Sequence, residues 1–270
     1  MPASAHDKRD AFRRLHQDGC FVLPNPWDIG SAKVMQHFGF KALASTSAGM
    51  AWAMGRVDGA VSLDEVLLHL STLAHATDLP LNADFENAFA DAPDDVARNV
   101  ALAVDTGVAG LSVEDYGGHA DRGLYAFDLA VARVAAARAA IDRTQSGVLL
   151  TARSEGFIRG APDLEETIRR ITAFAEAGAD CLYAPGIRDE AQVRAVVQAV
   201  APKPINLLSV GLPVATVAEW GVRRISLGGA LAALAFNHVT AAVKEIAEQG
   251  TFGEIAKAPR GQLNAIFSGA

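Results

Sequence analysis

Short apolar runs alternate with longer amphipathic stretches along the whole chain. In four places an amphipathic stretch ends on glycine and an aliphatic residue follows four positions later. These segments are HFGFKALAST, DTGVAGLSVE, EAGADCLYAP and EWGVRRISLG, in which Gly39, Gly107, Gly178 and Gly221 lead to Leu43, Leu111, Leu182 and Ile225. Glycine suits the residue just past a helix because it takes positive φ without a Cβ clash. Each segment therefore reads as a helix end, a short loop and a buried strand. Repetition of that unit implies a parallel sheet. Four further apolar runs read as strands: FVLP (21–24), PLNAD (80–84), GVLLTAR (147–153) and PINLL (204–208).

The stretches between strands carry helix signals. SLDEVLLHLSTLAHA opens with a capping-box pair, Ser62 and Glu65, and PDDVARNVALAVD places Pro93 where the first helical turn tolerates it. DLEETIRRITAFAEA and EAQVRAVVQAVA have apolar residues at helical spacing, and FDLAVARVAAARAAI is Ala-rich with one charged face. The first strand runs into LPNPWDIG, without the glycine-rich turn of a dinucleotide fold. Eight strands alternating with helices predict an α/β fold, a closed (β/α)8 TIM barrel. Residues 1–19 read as an N-terminal helix, and 230–270 as a C-terminal helical segment with one long helix. No Pro/Ser-rich linker interrupts the pattern, so 1–270 is expected to form one domain.

Composition agrees with this picture. The chain has 270 residues, close to the roughly 250 typical of such barrels, and is 50% hydrophobic and 20% charged. A net charge of -7 with no basic run argues against nucleic acid as a partner. The two cysteines, Cys20 and Cys181, sit in apolar surroundings and read as reduced buried thiols. The polar N-terminus lacks a secretory h-region, and no apolar run reaches the ~18 residues of a membrane span, so a soluble cytoplasmic protein with no membrane partner is expected.

In such a barrel the active site lies at the C-terminal ends of the strands. Those positions hold Asn25 to Asp28, Ser45 to Ser47, Asp84 to Asn87, Glu114 and Asp115, Arg153 to Glu155, Tyr183 to Gly186, Asn206, and Gly228 with Gly229. Carboxylates converging in one pocket repel one another unless a cation or proton intervenes. Oxygen-only ligands favour a hard ion, Mg²⁺ or Mn²⁺, and the absence of HExxH or a Cys/His cluster argues against zinc. Arg153 suits a substrate carboxylate or phosphoryl group, and the Ser45–Thr46–Ser47 turn offers hydroxyls and N–H groups to a second anionic end. Structural alternatives compete: Asp84 and Glu86 capping the next helix, Glu114 pairing with Arg153, Trp27 and Trp52 packing the core, Gly228 and Gly229 allowing close packing or an anion site.

The segments STSAGMAWAMGRVDG, LNADFENAF, GLSVEDYGG, LLTARSEGF, PINLLSVGLP and VRRISLGGAL, in this order, resemble the isocitrate lyase/phosphoenolpyruvate mutase superfamily from about Phe21 onward. The resemblance implies a Mg²⁺ enzyme acting on a small 2-oxo acid or its enolate and making or breaking a C–C or P–C bond beside the carbonyl. It matches Asp84-Phe85-Glu86 to the family's Asp-x-Asp metal motif and Asp58 to an aspartate that holds metal-bound water. Glu114 matches the acid after strand four, which implies metal and catalytic roles for it. Arg153 matches the arginine on the substrate carboxylate and enolate oxygen, Thr46, Ser47 and Ala48 the loop on the keto-acid carboxylate, and Asn206 a residue near substrate. Ser45 and Trp27 complete the expected substrate contacts.

Two departures stand out. The lyases' Lys-Lys/Arg-Cys-Gly-His loop and the mutases' Lys-x-Asn pattern are replaced by YGGHADRGLYAFD, and Gly186 stands where methylisocitrate lyases have a glutamate. The chain thus resembles the carboxyphosphonoenolpyruvate mutase-like branch with the ADFENxF pattern. His119, Arg122 or Tyr125 becomes the candidate acid or distal anion binder in a glycine-rich loop, with His119 the expected catalytic residue. The expected reaction is oxaloacetate-like decarboxylation or 2-methylisocitrate-like cleavage. The alternatives are phosphoenolpyruvate or carboxyphosphonoenolpyruvate mutase, phosphonopyruvate hydrolase, a metal-dependent pyruvate aldolase, and a 2-oxo acid binding protein without turnover. The resemblance further implies a homotetramer, a dimer of dimers with the C-terminal helix exchanged between subunits.

Overall fold

The computed structural model describes residues 3–118, 123–209, 211–257 and 262–268. Its strands are β1 (Phe21–Leu23), β2 (Leu43–Ala44), β3 (Leu81–Asp84), β4 (Gly110–Glu114), β5 (Leu149–Arg153), β6 (Cys181–Tyr183), β7 (Ile205–Leu208) and β8 (Arg224–Ser226). They form one parallel sheet in the order β1-β8-β7-β6-β5-β4-β3-β2. The Ala44 N–H donates to the Pro24 carbonyl at 3.0 Å, so β2 meets the end of β1 and the barrel nearly closes.

Twelve helices are found among the described residues. The first six are α1 (Ala5–Leu15), α2 (Ile29–His37), α3 (Ser47–Ala53), α4 (Leu63–Ala76), α5 (Pro93–Asp105) and α6 (Phe127–Thr144). The rest are α7 (Leu164–Glu176), α8 (Glu190–Val200), α9 (Val214–Glu219), α10 (Ala230–Gln249), α11 (Gly253–Lys257) and α12 (Gln262–Ser268). Gly39, Gly107, Gly178 and Gly221 all have positive φ, between 79° and 104°, as their place after a helix requires. The Ser62–Glu65 capping box forms on α4, and Pro93 opens α5.

Several boundaries differ from the sequence expectation, each for a local reason. Pro80 and Pro204 carry no N–H to donate and stand just before β3 and β7, and Gly147 at φ 71° precedes β5. The N-terminal helix is shorter than 1–19, because Ser4 caps it through Asp7 and it stops at His16. In the C-terminal segment the long helix α10 ends at Gly250, a left-handed cap with φ 65°, and the short helices α11 and α12 follow. The expected 45–47 turn is the start of α3, where the Thr46 hydroxyl caps the Gly49 N–H. Asp84 and Glu86 cap no helix, since α5 begins at Pro93 after Ala92.

The main core lies between sheet and helices, for example Val96, Val100 and Val104 of α5 against Leu81 and Leu111. A second cluster around Phe12, Leu23, Ala44 and Leu149 plugs the lower end of the barrel with α1. Above that plug the barrel interior is polar, with Asn82, Ser112, Thr151, Asn206, Arg224 and Ser226 all buried. Arg224 donates to Asn206 Oδ1 at 2.8 Å and to Thr151 Oγ1 at 3.1 Å, and faces His16 Nε2 at 3.3 Å. No helix among the described residues is long and apolar enough to cross a membrane.

Candidate active site at the barrel mouth

A cavity of about 940 Å³ opens at the C-terminal ends of the strands. Strand register places its charged groups. Glu114 of β4 lies beside Arg153 of β5, which lies beside Tyr183 of β6. Asp84 ends β3, and its two carboxylate oxygens are both held. Arg153 Nη1 donates to Oδ1 at 2.7 Å, and the Ser47 N–H donates to Oδ2 at 3.0 Å. The Asp84 N–H in turn donates to Ser45 Oγ at 2.8 Å, which ties β3 to the start of α3.

Arg153 is shared among three carboxylates. Besides Asp84 it meets Glu155 Oε1 at 2.8 Å and Glu114 Oε2 at 3.3 Å. Burial pushes the Glu114 carboxyl well above its ordinary range, and Glu155 beside it adds to the shift. Glu86 is pushed up to about 7, chiefly by burial and then by Asp84 and Asp58. Both shifts have the cause foreseen for crowded carboxylates: the charged form loses water and meets like charge. Asp115 lies deeper. It accepts the Glu155 N–H at 2.8 Å and pairs with Arg170 at 3.1 Å, and so fixes where Glu155 sits.

Glu86 belongs to a loop with unusual backbone. Glu86, Ala88 and Phe89 all have positive φ, 47°, 58° and 54°, without being glycine. Carbonyl anchors hold this shape. Arg133 on α6, almost wholly buried, donates to the Asn87, Ala90 and Asp91 carbonyls, and Asn99 donates to the Ala88 carbonyl at 2.9 Å. The Arg133 guanidinium stacks 4.0 Å over the Tyr125 ring. The Tyr125 hydroxyl donates to Asp91 and accepts from Asn87, so it belongs to this support.

The cavity brings together Ser45, Thr46, Ser47, Ala48, Asp58, Asp84, Glu86, Glu114, Arg153 and Asn206, all of them expected from the sequence. The Asn206 amide is already bonded, to Ser226 Oγ and to Arg224. Trp27 does not line the cavity; its Cβ packs against Gly49, where an added methyl would lie 3.0 Å away. His119 and Arg122 lie outside the described residues. Gly229 serves close packing, since a Cβ there would meet the Trp52 ring at 3.2 Å. The Leu227 and Gly228 N–H groups donate to Asn25 Oδ1 at 2.8 and 3.0 Å. Cys20 and Cys181 are free thiols, and among the described residues neither a cysteine nor a lysine lines the cavity.

Tyr116 and Arg159 also line the cavity without having been singled out by the sequence, and Glu155 was named there only as a strand-end position, with no role. The signal for one pair was there, because Glu155 and Arg159 are four apart, but that spacing matters only if the segment turns helically. It does: the Arg159 N–H donates to the Glu155 carbonyl at 3.0 Å.

The donor set fits a magnesium-type ion. Every acidic group here offers oxygen, and Asp84, Glu86, Asp58 and Glu114 are the residues that would hold it. Among the described residues no three such side chains close into a ready cage. A cation beside Glu86 would also remove the cost that holds its carboxyl near 7.

Comparison with known proteins gives a consistent answer. The family model described as phosphoenolpyruvate phosphomutase matches residues 12–247. A crystal structure from Burkholderia cenocepacia J2315, described as a lyase/mutase, superposes with a TM-score of 0.93 at 41% identity, covering 98% of this chain and 96% of that one. An oxaloacetate decarboxylase of Paraburkholderia xenovorans is 30% identical over 74% of this chain and 69% of its own length. An oxaloacetate acetylhydrolase solved with its product oxalate has a TM-score of 0.85 at 27% identity, covering 98% of this chain and 94% of that one.

Proposed function

The chain belongs to the phosphoenolpyruvate phosphomutase family, and from that membership we propose that it is a Mg²⁺-dependent carbon–carbon lyase acting on a short 2-oxo dicarboxylate, by decarboxylation of an oxaloacetate-like acid. The observation that carries this reading is the chemistry of the cavity wall. Acids and arginines line it, and among the described residues neither a thiol nor a lysine does. Cleavage that releases CO2 needs an electron sink and no protein base to activate a nucleophile. Arg153 in that wall supplies the sink. The relatives named for oxaloacetate support the same substrate class.

The residues divide the work. Thr46 and Ala48 present N–H groups without a partner among the described residues, and these would hold the C1 carboxylate. Asp84, fixed at both oxygens, keeps Arg153 aimed at the cavity. As the C3–C4 bond breaks, its electron pair moves to C2=C3 and the negative charge grows on the C2 oxygen. Arg153 faces that charge, and donors already in place gain most where charge develops. Mg²⁺, when bound, supplies further stabilisation of the same oxygen. Glu114, whose burial favours the protonated carboxyl, would return a proton to C3.

Product analysis tests this. Oxaloacetate incubated with the protein and Mg²⁺ and followed by ¹³C NMR is expected to give pyruvate and CO2 faster than enzyme-free buffer with the same metal. Oxalate and acetate as products would replace decarboxylation with hydrolytic cleavage. Turnover of phosphonopyruvate with none of oxaloacetate would overturn the lyase reading.

A further inference from the structure

Of the two guanidiniums that meet Glu114 at the mouth, Arg153 has its N–H groups committed to carboxylates, whereas Arg159 does not. Arg159 Nη2 stands 3.6 Å from Glu114 Oε1 and its Nε 3.3 Å from Glu155 Oε2. Neither contact is aligned as a hydrogen bond. The buried Glu155 Oε2 has no hydrogen-bond partner among the described residues. The Arg159 guanidinium carbon instead lies over the Tyr116 ring, 3.9 Å from its centroid. Stacking fixes the plane of a guanidinium and leaves its N–H edges free. Its side chain is 40% exposed, against 13% for Arg153, and it lines the cavity.

The backbone puts it there deliberately. Residues 155–161 form a tight turn, closed by the Arg159 N–H on the Glu155 carbonyl and the Ala161 N–H on the Gly156 carbonyl at 2.9 Å. This turn presses against Gly186, which has φ 96°. A Cβ at 186 would lie 2.8 Å from the Ile158 nitrogen and 3.0 Å from the Phe157 carbonyl carbon. A side chain at 186 would therefore displace the segment that carries Arg159. The bare glycine and the inward turn are one arrangement.

We infer that Arg159 is the specificity-determining residue for a second anionic group on the substrate, the distal carboxylate of a short diacid. This rests on the 2-oxo acid reading above and adds to it. Arg153 and Arg159 sit on the two oxygens of the single Glu114 carboxylate, at 3.3 and 3.6 Å. The two cations thus flank one carboxylate, and a diacid held at Arg153 can present its second carboxylate to Arg159. An incoming carboxylate can take the free N–H edge of Arg159 in the bidentate geometry that its present neighbours do not offer. A monocarboxylate such as pyruvate leaves Arg159 unused.

Calorimetry with saturating Mg²⁺ tests this, using pyruvate, a 2-oxo monocarboxylate, and 3,3-difluorooxaloacetate, a 2-oxo dicarboxylate, as ligands. The wild-type protein is expected to bind the dicarboxylate about tenfold more tightly or better. Arg159→Met is expected to lose most of that preference while its pyruvate affinity stays within about twofold, and Arg159→Lys, a point charge without the fork, to keep part of it. A wild-type protein that binds pyruvate but shows no preference sinks the role of Arg159 and spares the 2-oxo acid reading. So does an Arg159→Met variant that weakens both ligands equally, since that is the mark of a structural role. Binding of neither ligand to the wild type sinks both.

Discussion

Arg153 shows what one residue's surroundings add to its position. The strand count places it at the mouth with Asp84 and Glu114, and register delivers all three there. What the count could not show is that Glu155 turns back to share it, because that depends on a helical turn after the strand end. His16 is a second case. In the sequence it is an ordinary helix residue; in the structure it is buried, with Nδ1 on the Phe12 carbonyl at 2.8 Å and Nε2 facing Arg224. Burial, then Arg224, pushes it down to about 3. Its folded value lies below its unfolded one, so the neutral ring's contribution is complete above about pH 6.5 and is lost as pH falls toward 3. We expect the wild type to lose roughly 2 kcal/mol more than His16→Gln between pH 7 and pH 5 in paired urea titrations. Parallel losses in the two proteins would contradict this account of His16.

At the scale of elements, the loop after β3 explains where sequence reading stops. Its ADFEN residues suggested metal ligands, and Glu86 and Asp84 both line the cavity. Its left-handed residues are glutamate, alanine and phenylalanine, so nothing in their side chains announces the conformation. The reason lies on another element, in the buried Arg133 that gathers three carbonyls. In the sequence Arg133 is one of several arginines on an Ala-rich helix with a charged face. Replacing it with methionine keeps apolar volume but strands those carbonyls. Arg133→Met is expected to cost roughly 2–4 kcal/mol of stability and to speed amide exchange across residues 86–91 more than elsewhere. Unchanged protection of that loop would show that it needs no such anchor. The αβ loops behaved in the opposite way, since a glycine at positive φ leaves a visible mark, and all four such loops formed as expected.

For the whole molecule, the repeating glycine–strand unit was enough for the barrel, and the polar strand ends were enough for most of the charged residues of the cavity wall. Assembly was less legible. In the single chain α12 lies against α2, and α10 leaves Leu234, Val239 and Val243 exposed. The homotetramer implied by the family resemblance would cover such a face. The acid half of the chemistry also stays outside what periodicity reports, because His119 and Arg122 lie outside the described residues while Glu155 and Arg159 come from a turn.

The central claim is that the oxygen-lined mouth around Asp84 and Arg153 performs metal-dependent carbon–carbon cleavage of a 2-oxo dicarboxylate. The most direct measurement is the initial rate of oxaloacetate consumption, corrected for the enzyme-free rate at the same metal concentration, for wild type and Asp84→Ala, with Mg²⁺ and with excess EDTA. The account predicts turnover by the wild type with Mg²⁺, its loss in EDTA, and a fall of about a hundredfold or more in Asp84→Ala with an unchanged circular dichroism spectrum. Full activity in the chelated sample, or in the folded Asp84→Ala protein, would contradict it.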